Sequence, residues 1–140
     1  MQDDPLLPEC EEWKKEMEKV WRGIPKPFRN ERSIRGSLRC YLYGRLRELG
    51  LDAVADYTPP RMQDHPIDLI ALKKDGEILY AVCFDVLVTL AAVKSLDSFA
   101  SIHKIIFTIG PLEKKVKESR FFLKPDILHI HLKPFEKELS

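Results

Sequence analysis

Between positions 66 and 86, two apolar runs flank a short polar break: Pro66-Ile67-Asp68-Leu69-Ile70-Ala71-Leu72 and Ile78-Leu79-Tyr80-Ala81-Val82-Cys83-Phe84-Asp85-Val86, joined through Lys73-Lys74-Asp75-Gly76. An Asp-Gly pair supplies positive φ at little cost, so the break reads as a tight antiparallel turn and the runs as paired strands. A hairpin this apolar must be covered on both faces, which commits the chain to a layered fold. Each run also carries one acid, Asp68 and Asp85. A buried, unpaired carboxylate costs several kcal/mol or gives up its charge. The two acids are therefore expected to face a cleft, a cation or a basic partner, unless they sit near strand ends in water or against one of the chain's many Arg and Lys residues.

The rest of the chain supplies the covering layers. Trp13, Met17, Val20 and Trp21 fall on one stripe of a helix over residues 9–21, a surface for the chain's own core or for a second copy. Gly23-Ile24-Pro25-Lys26-Pro27 then ends the helix and reads as a linker. Over residues 33–49, Ile34, Leu38, Leu42, Leu46 and Leu49 form a helical face that Gly50 terminates. The same helix carries Arg32, Arg35 and Arg39 as a ridge, either a solvated face or a set of phosphate-binding forks. Further strands are expected over residues 51–57, 104–109 and 126–132, with helices over 90–100 and 112–123. The order predicts an α/β fold with a mixed central sheet and flanking helices, preceded by an N-terminal helical extension. Residues 1–30 form the extension and linker, and residues 31–140 the α/β domain.

With 23 basic and 22 acidic side chains among 140 residues, no global field draws the chain to nucleic acid or membrane, and any basic surface is local. Cys10, Cys40 and Cys83 have neither a pairing pattern nor metal-ligand spacing, which suggests reduced thiols and a cytoplasmic location. No membrane-spanning segment is expected.

Strand alternation turns Cys83 and Asp85 to one face and Phe84 to the other. If the neighbouring strand brings Asp68 beside them, two close carboxylates call for a positive occupant, and Mg²⁺ or Mn²⁺ suits their hard oxygen ligands. Such an ion activates water for attack on phosphate. Here Pro66-Ile67-Asp68 followed by Cys83-Phe84-Asp85, within this element order, resembles the PD-(D/E)xK nuclease superfamily, the restriction-endonuclease-like fold. The resemblance covers residues 33–132. It implies Asp68 and Asp85 as metal ligands, with Asp68, Asp85 and Lys94 as catalytic residues and Arg35 and Arg39 as contacts to a nucleic-acid backbone. It also implies Glu31 or Glu48 as a further acid on the first core helix. Cys83 stands where the family has an acid and Asp85 where it has a lysine, so Asp85 takes the acid's place and Lys94 the lysine's. Sulfur is a poor ligand for Mg²⁺.

Two functions follow from that resemblance. One is nucleic-acid binding with at most slow, metal-dependent phosphodiester hydrolysis. The other is a catalytically inactive nuclease relative serving as a structural or protein-interaction module, with the Trp stripe forming a homodimer. His129 and His131 share a strand face and are a further metal candidate, or else edge-strand histidines.

Overall fold

A computed structural model of the chain describes residues 7–60 and 65–135. Nine regular elements follow the expected order: α1 (Pro8–Gly23), α2 (Glu31–Glu48), β1 (Asp52–Tyr57), β2 (Ile67–Leu72), β3 (Ile78–Asp85), α3 (Leu90–Asp97), β4 (Ser101–Thr108), α4 (Glu113–Ser119) and β5 (Ile127–His131). Single 3₁₀ turns at Lys26–Phe28 and Arg120–Phe122 lie in the connections. The five strands form one sheet in sequence order. β1, β2 and β3 are antiparallel neighbours, whereas β3–β4 and β4–β5 are parallel. The predicted turn closes the β2–β3 hairpin, with Gly76 at φ +89°. α3 and α4 carry the chain between the parallel strands, because a parallel connection needs a crossover. No helix among the described residues is long and apolar enough to cross a membrane.

Period-two alternation divides the core between two faces. Tyr80, Val82 and Phe84 of β3 and Ile105 and Phe107 of β4 pack with α1 and α2, while Ala81, Cys83 and Ile106 pack with Ala92, Val93 and Leu96 of α3. The first face holds the larger side chains. Trp13 of α1 stands edge-on to Tyr80, ring centroids 5.1 Å apart, and Phe84 stacks on Phe107 at 5.3 Å.

The α1 stripe is thus internal. Trp13, Met17 and Trp21 are all buried, so the apolar surface on which a homodimer was expected to rest is spent on the chain's own sheet. That outcome follows from proximity, since α1 and the sheet belong to one chain and meet without the entropic cost of association. The linker after α1 is also fixed. Arg29 donates to the Ile24 and Arg22 carbonyls and lies over the Phe135 ring, and Arg22 donates to the Pro134 carbonyl.

α2 starts earlier than the apolar face predicts, because Asn30 caps it. The Asn30 side-chain oxygen Oδ1 accepts from the Ser33 backbone amide at 2.8 Å, and the Ser33 hydroxyl accepts from the Asn30 backbone amide at 3.0 Å. Ile34, Leu38, Leu42 and Leu46 are buried as expected, whereas Leu49, past the helix end, is exposed.

Candidate active site

Asp68 lies where the β2–β3 ladder runs out. The paired residues begin at Leu69 and Val82, and beyond them the Asp68 carboxylate accepts the Phe84 amide at 2.7 Å. The side chain thereby replaces a backbone acceptor for a buried donor. Asp68 itself is buried, and two guanidinium groups from α2 neutralise it: Arg35 Nη2 lies 3.3 Å from Oδ2 and Arg39 Nη1 lies 3.4 Å from Oδ1. Residues four apart share one helix face, so both arginines reach the same acid. Burial works to lower the Arg35 pKa, but the charge and hydrogen bond of Asp68 outweigh it and hold the guanidinium firmly protonated. About a third of each arginine side chain stays exposed.

Asp85 ends β3 and is held differently. Its Oδ1 accepts the Val86 amide at 2.9 Å. Its Oδ2 accepts the Thr89 hydroxyl at 3.1 Å and lies 3.2 Å from His65 Nε2. Burial works to raise this carboxyl, yet the hydrogen bonds from His65, Val86 and Thr89 prevail and it titrates below its ordinary value. The same bond raises His65 above its ordinary value against the opposing effect of burial. Thr89 accepts the Ala92 amide as the N-cap of α3, and the Ser95 hydroxyl holds the His65 carbonyl at 2.7 Å. His65 Nδ1 is buried and finds no hydrogen-bond partner among the described residues.

These groups line one open cleft of about 520 Å³, bounded by Arg35, Arg39, Asp56, His65, Asp68, Asp85 and Thr89. Asp56 is the one described non-glycine residue with positive φ, at +57°, and its carboxylate lies 4.0 Å from the Arg39 guanidinium. That backbone region is uncommon for a residue with a side chain, and Asp is among the types that tolerate it.

Asp68, Asp85, Arg35 and Arg39 are therefore brought together, and Lys94 is not. It is exposed on α3 and lies outside the cleft lining, because Ala92, Val93, Ser95 and Leu96 take the inward face of that short helix. Glu31 and Glu48 are exposed on α2 and also lie outside the lining. Cys83 is fully buried, and burial pushes its thiol well above the ordinary range, which leaves it an inert core residue. Sequence reasoning missed His65, Thr89 and Asp56. His65 directly precedes Pro66-Ile67-Asp68, and Thr89 is an N-cap residue type just ahead of the 90–100 helix, so both carried a local signal. Asp56 carried none beyond being an acid in a strand.

The donor set does not fit a divalent ion. Both oxygens of Asp68 and both of Asp85 already accept internal donors, and two guanidinium groups neutralise Asp68. Among the described residues no group of three or more His, Cys, Asp or Glu side chains is placed to hold a metal. The His129 and His131 pair is engaged as well. The Thr108 hydroxyl lies 2.8 Å from His129 Nε2 and 2.9 Å from His131 Nδ1, joining the two rings through one buried residue.

No family model and no curated protein matches this sequence. Among solved structures, the chain is similar to the crystal structure of a repair endonuclease from Pyrococcus abyssi, with a TM-score of 0.43 and 16% identity over 76% of this chain and 49% of that one. The chain thus spans about half the length of that structure.

Proposed function

We propose that this chain is a non-hydrolytic nucleic-acid-binding module built on a nuclease-like α/β fold. The observation that carries the reading is the exchange of partners in the cleft: arginines neutralise the acid that the family resemblance would give to a metal. Each Arg–Asp68 bond uses a single guanidinium nitrogen, and a guanidinium has five N–H donors. Donors remain on the exposed part of each side chain for a phosphate backbone. The near-zero net charge fits a small local contact rather than a broad basic face.

The test is fluorescence anisotropy of the full chain with labelled single- and double-stranded oligonucleotides, with Mg²⁺ or Mn²⁺ and again with EDTA, alongside a cleavage assay. Binding that persists in EDTA, weakens with salt and falls at least tenfold in Arg35→Gln/Arg39→Gln supports the module. Mn²⁺-dependent cleavage that Asp68→Ala abolishes overturns it and restores the hydrolytic reading.

A protein-interaction role has one observation of its own. Phe121 is 88% exposed beside the partly exposed Phe122, with the ring centroids 5.6 Å apart. Nucleic-acid binding absent under all conditions would favour that role.

A further inference from the structure

Resting on the nucleic-acid-binding reading, we infer that the group seated on Arg35 and Arg39 is a terminal phosphate monoester at a strand end, not an internal phosphodiester. The first reason is the layering of charge. Asp68 is 3% exposed beneath two guanidinium groups that keep about a third of their side chains in solvent. A ligand arriving from solvent therefore meets the cations at shorter range than the buried acid. At short range, the second charge of a dianion roughly doubles its attraction to the arginines. Its three terminal oxygens also allow both guanidinium groups to be engaged at once.

The second reason is what flanks the arginines. Strand order places β1, β2 and β3 side by side, so Asp56, Asp68 and Asp85 come from three adjacent strands, with the arginines over the middle one. Asp56 stands exposed beside Arg39. Asp85 borders the other side, in hydrogen-bond contact with His65. An internal phosphodiester brings a neighbouring phosphate on each side, and each neighbour meets a carboxylate. A strand end brings one, which can leave by the side where His65, the Val86 amide and the Thr89 hydroxyl already engage Asp85. The Asp56 carboxylate, held by an unusual backbone conformation, acts as a fence against a continuing backbone.

The experiment compares one oligonucleotide sequence carrying a 5′-phosphate, a 3′-phosphate or hydroxyl ends, together with a circular form, by anisotropy with the full chain in EDTA. The expected result is at least tenfold tighter binding of one phosphorylated end, displaced by millimolar inorganic phosphate. Arg35→Gln and Arg39→Gln should each remove the preference, and Arg35→Lys, which keeps the charge but not the fork, should remove most of it. Asp56→Asn should narrow the gap by strengthening binding of the circular form. Asp68→Asn should tighten binding of the phosphorylated end, because a competitor for the guanidinium groups is neutralised. Equal, arginine-dependent binding of all four oligonucleotides overturns this inference and leaves the binding module standing. Loss of binding in Asp68→Asn also overturns it, since the acid would then be needed to hold the guanidinium groups in their binding geometry instead of competing with the phosphate for them. Absence of any arginine-dependent binding overturns both.

Discussion

Two helices face the same side of the sheet and spend their side chains differently. α1 buries Trp13, Met17 and Trp21 in its own core, so its conspicuous aromatic stripe offers no surface to a partner. α2 buries a plain row of Ile34, Leu38, Leu42 and Leu46, and Arg35 and Arg39 of its ridge bend onto the buried Asp68 while staying partly in water. Of the two roles open to the stripe, the chain's own core or a second copy, the core takes it; of the two open to the ridge, a solvated face or phosphate-binding forks, Arg35 and Arg39 line the cleft. Apolar groups have one way to be satisfied, and the nearest sheet provides it. A guanidinium with five donors can neutralise a buried acid and still have donors to offer. Function in this molecule is therefore to be sought where polar capacity is left over.

The sharpest way to break that contrast is to cut the α1 stripe. Trp13→Ala removes a side chain that is 1% exposed and packed edge-on to Tyr80, so a loss of about 3–5 kcal/mol is expected in urea unfolding of the full chain. A loss below about 1 kcal/mol would mean that α1 is loosely attached, and its stripe would again be a candidate interface. The next effect is smaller and tests the ridge. Asp68→Ala leaves the Phe84 amide without an acceptor and two arginines without a counter-charge, but those arginines can rehydrate. A loss of about 2–3 kcal/mol is expected. Asp68→Asn keeps a carbonyl oxygen for the amide and should lose roughly half as much. Equal losses for the two variants would show that ion pairing, not the backbone hydrogen bond, accounts for the stabilising role of Asp68.

The architecture was legible because its signals were local and repeated. Alternation along β3, the Asp-Gly turn and the four-residue rhythm of α2 each state their element without reference to the rest of the chain. Several boundaries moved for equally local reasons, such as the Asn30–Ser33 capping box that starts α2 early. The candidate site was legible in half. Asp68 and Asp85 stood out as acids in apolar strands, and Arg35 and Arg39 as a pair four residues apart. Lys94 was expected at the cleft because a cation was needed there, but four inward residues of α3 turn it to solvent. That need is met instead from α2 and from His65, which a sequence cannot place because pairing across 20 or more positions depends on the completed sheet.

The smallest expected effect separates the two histidine environments by the sign of a pH slope. His65 is raised above its ordinary 6.5 chiefly by its hydrogen bond to Asp85, so its contribution to stability is complete below 6.5 and is lost as pH rises through the folded value. Asp85 lies below its ordinary 3.8, so its share is present above 3.8 and is lost as pH falls through the lower folded value. The pair therefore stabilises most between 3.8 and 6.5. His131, beside buried Thr108, behaves in the opposite way. Burial lowers its pKa, so below 6.5 the unfolded chain binds the proton more readily and acid costs stability. Unfolding measured from about pH 5 to about pH 9 should show His65→Gln losing most at acid pH and converging on the parent at alkaline pH. His131→Gln should instead flatten the loss on the acid side. If His65→Gln runs parallel to the parent across that range, Asp85 is held by Thr89 and the Val86 amide alone.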